Sequence, residues 1–193
     1  MKKLSLVSVL IFFLAVVASA QSETVSHDLR VKFPTYAFVG LSGEGSIELS
    51  PKAPDVAGEG LDFNSPSASN STKYLQYSSL PGKGGKNNRI SVSMTAANSM
   101  ALPKGVTILL KVEDYSGKGK GTLGTPSTGA EGIVLEKNGK AIVTGIKNCY
   151  TGTGSEEGHL LTYSLKMEDE TASYEDLSTG DYDFTITYTI EAE

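Results

Sequence analysis

The residues with most chemical potential in this 193-residue chain are His27, His159 and Cys149. A thiol beside an imidazole makes a nucleophile–base pair when the two touch and a third group orients the base. Cys149 and His159 are ten positions apart, and no pattern around them indicates an orienting group. There is no G-x-S-x-G nucleophile elbow. Two histidines and one cysteine at wide spacing do not match a zinc ligand set. Glu168-Asp169-Glu170 and Glu175-Asp176, near Asp181 and Asp183, form an acidic cluster of the kind that holds calcium in sandwich loops. The D-x-D-x-D-G pattern is missing, so a solvated acidic loop is preferred. Gly117-Lys118-Gly119-Lys120-Gly121-Thr122 is not a phosphate loop, because neither Gly-Lys pair precedes Ser or Thr and no helix pattern follows. In Gly152-Thr153-Gly154 the third glycine of a dinucleotide site is replaced by Glu157. Both read as flexible turns. The expectation is a protein that is not an enzyme, with no catalytic residue, cofactor or metal.

What remains is local charge. Residues 82–89 carry Lys83, Lys86 and Arg89, and residues 117–121 carry Lys118 and Lys120. Against 22 Asp+Glu and 17 Lys+Arg overall, these are positive spots. Gathered at one end of the fold, they would contact an anionic glycan or envelope polymer. Two solvated loop tips are the preferred competing reading. The acidity of the whole chain argues against a nucleic-acid partner. Nine tyrosines suit a carbohydrate-contacting face as well as a core.

These side chains need a scaffold, and an export leader precedes it. Lys2 and Lys3, an apolar run over residues 6–17 broken only by Ser8, and Ala18-Ser19-Ala20 make its three parts. The run is too short to span a bilayer. Cleavage before Gln21 takes 20 from 193 to leave 173 residues, and removing the two lysines moves the nominal charge from −5 to −7. That is one domain with enough chain for a real core. It is expected to be secreted, periplasmic or on the cell surface, with no integral membrane segment. The lone Cys149 allows no internal disulfide and reads as a small buried hydrophobe.

The scaffold reads as strands between Gly-rich loops. Leu29, Val31 and Phe33 alternate with polar residues up to Pro34. Short runs follow at 36–41, 47–49 and 74–79, with 51–73 as a long loop. Ile90, Val92 and Met94 alternate, and residues 106–112 suit a central strand. Residues 133–135 and 141–144 flank Asn138-Gly139, a strong hairpin signal. Leu161, Tyr163, Leu165 and Met167 share one face, as do Tyr182, Phe184, Ile186, Tyr188 and Ile190. One helical turn is allowed within 95–101 and within 168–177. Eight or nine short strands imply an all-β fold, an antiparallel immunoglobulin-like (Greek-key) β-sandwich.

Leu177, Gly180 and Tyr182 resemble the tyrosine corner of such sandwiches, where a tyrosine hydroxyl bonds back to the upstream backbone. In the immunoglobulin order a further strand follows the corner strand. Here the sequence ends at Glu193, so the expectation is a missing last strand or a variant topology. A missing strand leaves an open groove that another chain can fill. The candidate donor face is Val25, Leu29, Val31 and Phe33, with His27 in the same alternation. The competing reading makes this segment the protein's own first strand.

Residues 142–165, with their T-G-I, Y-T-G-T-G and G-H-L-L-T-Y elements, together with Tyr74-Leu75-Gln76-Tyr77 and the final Y-T-I strand, resemble small secreted bacterial β-proteins of unassigned function. The resemblance covers about half of the exported part. The ending, residues 177–190, also resembles fimbrial-subunit and spore-coat-U-type domains, which implies assembly by strand donation. The cysteine pair of many pilins is missing. The expected function is a secreted structural or adhesive protein of the envelope or exterior, partnered by other copies of itself or a surface polymer. The alternative is a fimbria-like subunit that polymerises by donor strand.

Overall fold

The computed structural model describes residues 24–43, 45–98, 100–168 and 174–193. The leader and residues 169–170 of the acidic cluster lie outside them. Among the described residues the strands are β1 (Tyr36–Leu41), β2 (Ser69–Leu80), β3 (Asn88–Ala96), β4 (Val106–Ser116), β5 (Lys120–Gly121), β6 (Thr125–Pro126), β7 (Ile133–Val134), β8 (Lys140–Ile146), β9 (Cys149–Tyr150), β10 (Gly158–Met167) and β11 (Phe184–Ala192). They form an immunoglobulin-like sandwich of two antiparallel sheets. The larger sheet runs β5-β9-β2-β10-β4-β7, with β1 on the other side of β2, and the smaller runs β11-β3-β8-β6. Phe33–Glu193 forms one compact unit.

Period-two patterning explains the core. Leu75, Leu110 and Leu161 point inward from the larger sheet and meet Ile90, Ile142, Val143 and Ile146 of the smaller. Each is fully buried and contributes about 1.5–3 kcal/mol relative to exposure. Cys149 is buried with them, and burial pushes its thiol pKa up to about 11.

Three expectations are corrected. Residues 29–33 are not a strand, and no described residue ahead of Tyr36 pairs in either sheet. The first strand of the sandwich is instead β1, paired to β2 with Tyr36 opposite Leu80 and Leu41 opposite Leu75. Residues 47–49 are irregular, although Ile47 and Leu49 still pack on the core. The Asn138-Gly139 stretch does not close a hairpin. β7 pairs β4 in the larger sheet, whereas β8 pairs β3 in the smaller. Both flanking runs face the same core from opposite sides, so the loop crosses between sheets. Gly139 accordingly lacks the positive φ of a type I′ turn. A single 3₁₀ turn, Tyr174–Asp176, falls within the helical turn expected at 168–177.

Candidate functional site

β11 forms one end of the smaller sheet and β1 one end of the larger, and the two lie against each other across the sandwich. β11 is hydrogen-bonded along its length to β3 only, from Phe184 opposite Ala96 to Ala192 opposite Asn88. Among the described residues no strand occupies its other edge. The loss of cover shows in burial. Ile90 and Val92 on β3 are fully buried, but their opposite numbers Ile190 and Tyr188, with Phe184 and Ile186, are only half-buried. The structure therefore has an apolar seam beside an unpaired row of backbone N–H and C=O groups.

One polar contact ties this edge inward. The Tyr188 hydroxyl on β11 hydrogen-bonds the Tyr163 hydroxyl on β10. Burial raises the pKa of both phenols. At the entrance to β11, the Tyr182 hydroxyl donates to the Ser178 carbonyl at 3.2 Å and lies 2.6 Å from the Ser178 hydroxyl. A tyrosine hydroxyl bonding back to the upstream backbone is the kind of contact a tyrosine corner makes. Gly180 takes φ +155° within it, and Leu177 is half-buried.

The candidate donor residues are all exposed: Val25 92%, Leu29 82%, Val31 66% and Phe33 81%.

Register places Gly121 opposite Cys149 and Cys149 opposite Ser79, near the end of β2. Lys83 lines a cleft of about 900 Å³ with Leu80, Pro81, Asn87, Thr122 and Asn148, and with Lys147. Sequence reasoning missed Lys147, because its position beside residue 83 depends on the long-range β2–β9 pairing. Lys86 is exposed in the same loop as Lys83, Lys118 is exposed between β4 and β5, and Lys120 lies on β5. Arg89 stands apart on β3 and is ion-paired to Glu191 at 2.9 Å.

His159 belongs to a buried network. Its Nδ1 lies 2.9 Å from the Glu113 carbonyl and its Nε2 2.9 Å from the Tyr77 hydroxyl. A carbonyl only accepts, so Nδ1 carries the proton and Nε2 accepts from Tyr77. Tyr77 Oη in turn accepts from the Gly124 N–H at 3.1 Å. Burial lowers the His159 pKa, against smaller raising effects of the Glu113 carbonyl and Asp114. Both ring nitrogens are committed, so the imidazole does not serve Cys149 as a base. His27 is exposed.

Among the described residues no group of three or more His, Cys, Asp or Glu is placed to hold a metal. No helix of the described residues is long and apolar enough to cross a membrane. No family model, curated protein or solved structure matches the chain.

Proposed function

We propose that the protein is an exported, non-enzymatic assembly subunit of the cell envelope or exterior whose sandwich is completed by a strand donated from a second copy. The unpaired edge of β11, with its half-buried inner row Phe184, Ile186, Tyr188 and Ile190, carries this reading. The donor is the segment bearing Val25, Leu29, Val31 and Phe33. Its two-residue spacing matches the spacing of the inward positions of β11. Backbone pairing along β11 supplies affinity, and the alternate side chains entering the seam supply specificity. Each apolar side chain moved from water into the seam contributes about 1.5–3 kcal/mol, and the backbone pairing along β11 adds to this against the cost of ordering the segment. The resemblance of residues 177–190 to fimbrial-subunit and spore-coat-U-type domains, and the leader pattern at residues 1–20, support the same reading.

The test is electrophoresis of unboiled protein. Assembled subunits are expected to give SDS-stable ladders that collapse on boiling. Leu29→Asp with Val31→Asp, and separately Ile186→Asp, should each abolish the ladder. Mixing the two variants should restore one dimer rung, because the first keeps an intact seam and the second an intact donor. A monodisperse protein with no rung at any concentration would reject strand donation.

A further inference from the structure

A second surface lies on the opposite side of β2 from the core. Directly opposed residues in antiparallel strands point to the same face. Phe38 is opposite Ser78, Ser78 is opposite Tyr150, and Tyr150 is opposite Lys120. The neighbouring row, Ala37–Ser79–Cys149–Gly121, contains the fully buried Ser79 and the buried Cys149 and so faces the core. The row Phe38–Ser78–Tyr150–Lys120 therefore faces solvent. Phe38 is 67% exposed and Tyr150 51%. Tyr36, two residues along β1, stacks on Phe38 with ring centroids 5.9 Å apart. Tyr36 is opposite Leu80, which lines the cleft holding Lys83 and Lys147.

From these positions we infer that the outer face of β1, β2, β9 and β5 binds an extended, uronate-bearing polysaccharide laid across the strands. An aromatic ring has an electron-rich face, and the axial C–H face of a pyranose is its complement, so exposed coplanar aromatics act as sugar platforms. Phe38 and Tyr150 are two strand spacings apart, about 9.6 Å, close to the disaccharide repeat of an extended 1,4-linked chain. Alternate sugars thus lie on the two rings while the sugar between them passes over the small Ser78. At one end of the row Lys120 meets a carboxylate. Lys120, Lys118, Lys83 and Lys147 take no ion pair among the described residues. Glu157, which lies beside Gly117, accepts from the Gly154 N–H at 2.9 Å. Charge complementarity selects an acidic glycan over a neutral one. The chain as a whole, net −5, repels a polyanion, so attraction must be local. This surface is separate from the β11 seam and does not depend on strand donation.

Affinity electrophoresis in native gels containing polygalacturonate tests the inference, with hydroxyethyl cellulose as the neutral control. The protein is expected to be retarded by polygalacturonate and little by the neutral polymer. Phe38→Ala and Tyr150→Ala should each weaken retardation at least tenfold. Lys120→Ala should weaken it less and flatten its dependence on salt. Far-UV circular dichroism should be unchanged, because both aromatics are solvent-exposed. With no tryptophan in the chain, tyrosine fluorescence should be quenched on binding and the quenching lost in Tyr150→Phe. Absent retardation, or retardation untouched by the Phe38 and Tyr150 variants, would overturn the inference. So would sedimentation showing that those variants convert a dimer to a monomer without polymer, which would make this face a contact between copies.

Discussion

At the scale of single residues, the His159 network sets a pH dependence. Its imidazole is fully buried and its pKa is lowered by desolvation. In the unfolded chain it titrates near its ordinary value of about 6.5. Above that value both states are neutral and the group adds no pH dependence. Below it the unfolded chain takes up a proton that the fold refuses, so stability falls as pH falls, by about 1.4 kcal/mol per unit until the folded pKa is reached. Urea midpoints should therefore decline between about pH 6.5 and 5.5. His159→Gln should start less stable but decline less over that interval. A wild-type midpoint independent of pH there would mean that the imidazole is not held neutral. The sequence offered His159 as a weak candidate base. Its structural role was not legible, because both partners, Tyr77 and Glu113, are distant in the chain.

At the scale of elements, alternation was a good guide to which residues face inward and a poor guide to which strand they join. Residues 90–94, 161–167 and 184–190 lie on β3, β10 and β11 with the expected faces. Periodicity cannot specify a partner, however. That is why 29–33 read as a strand and why the Asn138-Gly139 crossing read as a hairpin. The outer aromatic face was illegible for a related reason. Tyr150 stands on a two-residue strand, too short to show any period. Its neighbour β5 depends on close backbone approach. Gly121 holds φ +92°, and a Cβ there would collide with the Asn148 carbonyl. Gly121→Ala is expected to cost at least about 2 kcal/mol through positive-φ strain and displacement of β9. A denaturation midpoint equal to wild type would show that this approach is not fixed. The same variant should also weaken polygalacturonate retardation, because moving β9 moves Tyr150.

For the whole molecule, both readings of function use the two ends of one β2-centred arrangement. The seam opens between β1 and β11, and the aromatic row crosses β1, β2, β9 and β5. An assembled array could therefore present the glycan face repeatedly, turning weak single contacts into avid ones. The polymeric form, separated from monomer, should then be retarded by polygalacturonate at polymer concentrations well below those needed for the Leu29→Asp, Val31→Asp monomer. Equal retardation would show that the faces do not act together.

The place of β10 has a kinetic consequence. It is sandwiched between β2 and β4, pairing Leu161 with Lys73 on one side and with Val112 on the other. Both neighbours are synthesised long before it, and among the described residues they pair with it rather than with each other. The larger sheet thus has no middle until residues 158–167 arrive, and closure demands contacts between distant parts of the chain. Refolding should take on the order of milliseconds to seconds, with β2 and β4 exposing bare edges meanwhile. Recovered yield should fall steeply as refolding concentration rises, because during that interval each unfinished sheet is a template for its neighbours.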